Sequence, residues 1–238
     1  MIRPDHLSRE QAMSDISITA PAAGRRDQAI DAFLALLAEQ PFERIGLADV
    51  ARRAGLTLSQ LREEFSSVMA ILPAHVKRVD AQVLAGGDGD MAQETPREKL
   101  FDVLMRRLEA LAPHKAAMRS LMRSAARNPG LALALNGLAV RSQNWMLTAS
   151  DIGASGAKGM LRSQAMAVLF ACVMRVWVND EDPGLARTMA ALDRELARAG
   201  RWSGFLDDLC AIPESACRAR DRFRARRRRD PDEETLVA

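Results

Sequence analysis

Tyrosine is absent from the 238 residues, and aromatic side chains of all kinds make up only 4% of them. Runs of aromatic and β-branched residues, the usual mark of strands, are missing with them. Cysteine is scarce: Cys172, Cys210 and Cys217 are odd in number and lack C-x-x-C spacing, which excludes a disulfide framework and a thiolate metal site. They read as reduced thiols, with Cys172 in the core. His6, His75 and His114 are scattered, with no H-x-x-x-H pair or acidic cluster, so no metal site is expected. G-x-S-x-G, Walker and G-x-G-x-x-G patterns do not occur. The common catalytic templates are therefore empty, neither an enzyme nor a cofactor is indicated, and a metabolic enzyme survives only as a remainder. Long apolar runs are lacking too: none reaches the roughly 20 uncharged residues needed to span a bilayer. The opening MIRPDHLSRE has no apolar core of a signal peptide, and the expected location is the cytoplasm.

What the chain does have is helix-forming material. Hydrophobic residues make up 48% of it, and Ala, Leu, Met, Arg and Glu recur throughout, which predicts an all-α fold. The formal net charge of +3 is concentrated at one end. From Arg218 onward, Arg218, Arg220, Arg222, Arg224, Arg226, Arg227, Arg228 and Arg229 face only Asp221, Asp230, Asp232, Glu233 and Glu234, leaving the residues before Arg218 neutral. A charge run without apolar period reads as a solvated, disordered tail over 213–238; contact with nucleic acid or anionic lipid is the alternative.

Residues 1–24 carry Pro4, Pro21 and Gly24 without a sustained period and read as a mobile arm. From Arg25, the positions Ile30, Phe33, Leu34 and Leu37 follow i, i+3, i+4, i+7 and predict a first helix that Pro41 ends. A short helix is expected after Gly46 and a connecting helix over 67–84, broken by Gly86, Gly87 and Gly89. Thr95-Pro96-Arg97-Glu98 supplies an N-cap hydroxyl, a first-turn proline and a carboxylate at the third position, a capping box that opens the body. Helices over 96–111, 114–127, 130–149, 157–179 and 183–199 follow, with a last amphipathic piece at 202–212 carrying Trp202, Phe205, Leu206, Leu209 and Ile212. That piece reads as a cap on the body, with a membrane-lying helix as the alternative.

Gly55 is placed as a tight-turn glycine, able to take the left-handed conformation such a turn requires. Ala51, four residues earlier, is small enough for a helix crossing. Val50, Leu56 and Leu61 can fill the space between two helices, Phe65 can return to the core, and Thr57 with Gln60 forms a T-x-x-Q capping box for the second. These are the parts of a helix-turn-helix.

From Arg25 to about Leu84 the chain resembles the TetR family of dimeric transcription regulators. The resemblance rests on the opening helix with Phe33, the run PFERIGLADVARRAGLTLSQL, Phe65, and Ser67 to Leu72. It implies a head at 25–72, a ligand-binding and dimerising body at 73–212, and a double-stranded DNA operator with palindromic halves as partner. In the family the second helix of the motif enters the major groove, which on this chain implies Thr57, Leu58, Ser59, Gln60 and Arg62 as groove residues. Arg25, Arg26, Arg52 and Arg53 are the candidate phosphate contacts. Two features depart from the family pattern: Arg62-Glu63-Glu64 stands where aromatic residues are usual, and Val68 where lysine is common. From Arg25 to Leu84 eight basic residues face eight acidic ones, so DNA affinity requires the arginines to be segregated on one face.

In the body, Leu104, Leu108, Met118, Leu121, Met122, Trp145, Met146, Met166, Phe170 and Met174 are candidate lining for an apolar small molecule or lipid, with ordinary core packing as the alternative. The stripes Leu161, Ala165, Val168, Cys172 and Leu185, Met189, Leu192, Leu196 are candidate faces of a four-helix homodimer seam, again with packing in the chain's own core as the alternative. Residues 106–122 and 173–197 also resemble TetR-like isoprenoid-lipid-binding accessory proteins of ubiquinone biosynthesis, which act without DNA. A ligand-responsive operator-binding regulator is thus the first reading and a lipid-binding accessory protein the second.

Overall fold

The computed structural model describes residues 22–87 and 94–200; the expected arm, the 202–212 helix, the arginine-rich tail and Cys210 and Cys217 lie outside that range, the arm's last residues excepted. Among the described residues every regular element is helical. The helices are α1 (Ala22–Glu39), α2 (Leu47–Ala54), α3 (Leu58–Glu64), α4 (Ile71–Ala85), α5 (Pro96–Leu111), α6 (Lys115–Ala125), α7 (Pro129–Ala149), α8 (Gly156–Trp177) and α9 (186–200).

Local chemistry sets most of these boundaries. The α1 helix opens at Ala22, three residues before the expected start, and Pro41 follows its end. Thr95 Oγ1 accepts the Glu98 amide while Glu98 Oε2 accepts the Thr95 amide at 2.9 Å, and Pro96 occupies the first turn of α5. Asp180 starts α9: its buried carboxylate accepts the Thr188 amide at 2.9 Å and the Thr188 hydroxyl at 2.6 Å.

The described chain divides into two compact units. One holds the residues up to Arg78 together with Pro113–Ala132; the other holds Val79–Ala112 and the residues from Leu133 onward. This division groups α6 with α1, α2 and α3. The reason is packing: Ala117, Met118 and Leu121 are buried, and α6 lies against α1. Ser120 Oγ donates to the Gln40 carbonyl at 3.2 Å, and Ser124 Oγ accepts the Phe42 amide and donates to Glu43 Oε2. These bonds hold the turn at Phe42–Arg44, whose Phe42 ring meets Phe33 edge-on at 6.3 Å.

In the second unit the inward faces follow helical spacing. Leu100, Val103, Leu104, Arg107, Leu108 and Leu111 are buried along α5, and Met166, Ala167, Phe170, Val173 and Trp177 along α8. By length and composition α8 is apolar enough to cross a membrane, with a mean hydropathy of 1.3, yet 44% of that window is buried within the chain. That burial is the pattern of a core helix.

Candidate nucleic-acid interface and body interior

The turn between α2 and α3 is built as its residues dictate. Gly55 has φ 66°, in the left-handed region, and caps α2 with its amide on the Ala51 and Arg52 carbonyls. Thr57 is extended, with its Oγ1 accepting the Gln60 amide at 3.2 Å and its own amide bonded to Gln60 Oε1 at 2.9 Å. Val50, Ala51, Leu61 and Phe65 are buried beneath, while Leu56 is only half-buried. Thr57, Leu58, Ser59 and Arg62 consequently point outward, Leu58 with 59% of its surface exposed. Gln60 is different: it is half-buried, and its side-chain oxygen is committed to the cap.

The acidic pair at the end of α3 is met from α1. Arg25 Nη1 lies 3.4 Å from Glu63 Oε2, and Arg26 Nη1 lies 3.7 Å from Glu64 Oε2. Arg26 also donates to the Glu64 carbonyl, and its guanidinium sits 4.9 Å from the centre of the Phe65 ring. Two of the expected phosphate contacts thus neutralise Glu63 and Glu64. Arg53 forms a two-bond pair with Glu39 at 2.7 and 2.9 Å, and Arg52 pairs with Asp49 at 3.3 Å. The Arg53 partnership holds the Glu39 carboxyl below its ordinary range, chiefly through the hydrogen bonds. Arg44, Arg62 and Lys77 have no ion pair among the described residues.

Elsewhere in the first unit, His75 and His114 meet edge-on at 5.8 Å, a pair that their positions 39 residues apart do not announce. Burial, then the Arg78 cation, pushes the His114 imidazole below its ordinary 6.5. Among the described residues no group of three or more His, Cys, Asp and Glu is placed to hold a metal ion.

The residues expected to line one pocket are distributed over both units. Met118, Leu121 and Met122 lie on α6 in the head's unit, where α6 packs on α1. Trp145 is 58% exposed on α7 and faces outward. Leu104, Leu108, Met146, Met166 and Phe170 are buried in the second unit, and Met174 is half-buried there. The stripes expected at a dimer seam also divide. Leu161, Ala165 and Val168 are exposed on α8, with Cys172 half-buried beside them rather than in the core. Leu185 is half-buried, Met189 is exposed, and Met160 adds a further exposed methionine. Leu192 and Leu196 are buried in the core of their own chain, because the inward face of α9 also contains Thr188 and Ala191.

Sequence reasoning missed a polar cluster in the second unit. Arg107 occupies the i+3 position of the apolar set Leu104, Leu108, Leu111, and its guanidinium donates to Asp80 Oδ1 of α4. Ser142 Oγ of α7 donates to the same oxygen at 2.7 Å, and the Phe170 ring lies 5.6 Å from the guanidinium. Arg107 Nε and Gln143 Oε1 are buried without hydrogen-bond partners, a condition that costs about 1–3 kcal/mol per group. The signal was present in the spacing: a charged residue stood inside the helical period of three leucines.

The same arrangement of helices occurs in solved structures. A TetR transcriptional regulator from Nitrosomonas europaea superposes with a TM-score of 0.59 at 20% identity, covering 74% of this chain and 97% of that one. The chain has the TetR fold. A TetR regulator from a Rhodococcus species matches at 0.51 and 20% identity over 74% of this chain and 94% of its own. A TetR-family regulator from Streptomyces coelicolor matches at 0.50 and 15% identity over 80% and 89%. No protein-family model matches the chain, and no curated protein matches it in sequence.

Proposed function

We propose that this protein is a dimeric, operator-binding transcriptional regulator whose DNA affinity responds to a ligand in the body. The observation that carries the reading is the capped α3: Gly55 and the Thr57–Gln60 box turn Thr57, Leu58, Ser59 and Arg62 outward together. Such residues suit base edges and a thymine methyl in a major groove. Neutralisation of Glu63 and Glu64 by Arg25 and Arg26 removes the repulsion that two bare carboxylates would bring to the duplex. Dimerisation is supported by the exposed apolar stripe Leu161, Ala165, Val168 on α8, with Met189 on α9. Control by ligand requires unequal ligand affinity for DNA-compatible and DNA-incompatible forms.

Fluorescence anisotropy with a duplex from upstream of the coding region, over a salt series, tests this. The wild type binds saturably at low salt, and Glu63→Gln with Glu64→Gln frees two arginines, tightening binding and steepening the salt slope by about 1–2. No saturable binding at low salt rejects the operator reading. The second reading, a lipid-holding accessory protein, draws its support from the pairing of Arg25, Arg26, Arg52 and Arg53 with carboxylates of the same head.

A further inference from the structure

We infer that the first unit carries a ligand site of its own, where a small oxyanion, a carboxylate or a phosphate ester, binds between the end of α1 and the end of α6. A cleft of 210 Å³ lies there, lined on one side by Glu39, Gln40 and Pro41 and on the other by Ser120, Arg123 and Arg127. At about 30 Å³ for each water it has room for roughly seven, which suits a small anion and excludes a long-chain guest.

The lining has spent its acceptors and kept its donors. Its acidic residue, Glu39, has both oxygens engaged by Arg53, at 2.9 and 2.7 Å. The Gln40 carbonyl accepts Ser120 Oγ, and the Pro41 carbonyl accepts the Arg44 amide. Ser124 Oγ, also in the lining, donates to Glu43. Arg123 and Arg127, four positions apart, are exposed and have no ion pair among the described residues. The stretch from Lys115 to Asn128 that contains them has no Asp or Glu. Two guanidinium groups thus border one cleft in which the available carboxylate is already committed, and the missing complement is a guest that brings oxygens and negative charge. A guanidinium fork meets a carboxylate or phosphate through two parallel bonds, and the second arginine adds charge to hold it. A neutral guest gains no such bonds, and a cation is repelled.

The test is nitrogen-edited NMR of the arginine Nε–H signals of the full chain at neutral pH. Sodium glycolate and sodium methyl phosphate are the probes, and sodium chloride at matched ionic strength is the control. The Arg123 and Arg127 signals, identified by their loss in Arg123→Gln and Arg127→Gln, shift and saturate with either oxyanion. Saturation comes at a concentration at least about tenfold below the chloride that gives an equal shift. Arg127→Gln changes an exposed position, so without added anion it melts at the wild-type temperature, while the affinity read at Arg123 falls about tenfold. Chloride as effective as either oxyanion overturns the site, because the response is then ionic strength alone. Saturation that survives both substitutions unchanged overturns it as well. Signals that move with duplex DNA but not with the free anions also overturn it, and assign the two arginines to phosphates of the duplex instead.

Discussion

In the head, carboxylates and guanidinium groups meet at the surface; in the body, one such pair meets in the interior. Arg53 and Glu39 form the best-aligned pair of the head with 40% and 58% of their side chains exposed, whereas Arg107 and Asp80 pair at 7% and 12%. Water and salt screen the first kind and reach the second poorly. The difference separates two uses of charge. Surface pairs around α3 can open at little expense in stability, while the buried pair fixes the charge state of the core and tolerates no loss of either member.

Breaking that contrast gives the largest expected effect. Asp80→Ala strands the Arg107 cation in the core and should lower unfolding free energy by about 3–5 kcal/mol in urea titrations. Glu39→Ala should leave the urea midpoint within error of the wild type, since Arg53 remains in water. A comparable loss in both variants would erase the distinction.

A smaller effect is expected from Thr57→Ala. It removes the hydroxyl that accepts the Gln60 amide, and should destabilise the head by about 1 kcal/mol. It should also weaken DNA binding beyond the loss of its own contact, because the start of α3 becomes less ordered. Circular dichroism melts and anisotropy on the same samples check the two together.

The smallest is a pH effect at His114. Its folded-state pKa is lowered, so below about pH 6.5 the unfolded chain binds the proton more readily and stability falls as pH drops toward the lowered value. Above that window the contribution is constant. His114→Gln should flatten this part of the stability profile, measured as the difference between variant and wild type at pH 7.5 and pH 5; an unchanged slope would place the titration elsewhere.

The fold was largely readable from local signals. The capping boxes at Thr57 and Thr95, the turn at Gly55 and the spacing Ile30, Phe33, Leu34, Leu37 each act over a few residues, and the helices follow them closely. Partnerships between distant elements were not readable in the same way. Arg25 and Arg26 looked like phosphate contacts because nothing in their own stretch announces Glu63 and Glu64 as partners nearly forty positions away. Apolar stripes gave the right periodicity on α9 but not its direction, so Leu192 and Leu196 suggested a seam although they face their own core. Arg107 was hidden by the leucines around it, since an apolar period draws attention to the members that fit.

The bonds from Ser120 and Ser124 to Gln40, Phe42 and Glu43 join positions 80 to 82 residues apart. A chain leaving the ribosome N-terminus first therefore exposes the helix-turn-helix long before the strut that braces its opening helix has been made. During that interval α1 presents to solvent, or to a chaperone, the apolar surface that Ala117, Met118 and Leu121 later cover. At roughly 5–20 residues per second the exposure lasts several seconds, long compared with the microseconds in which a helix forms. Translation speed through the segment encoding α5 thus governs how long the head remains open to misassociation.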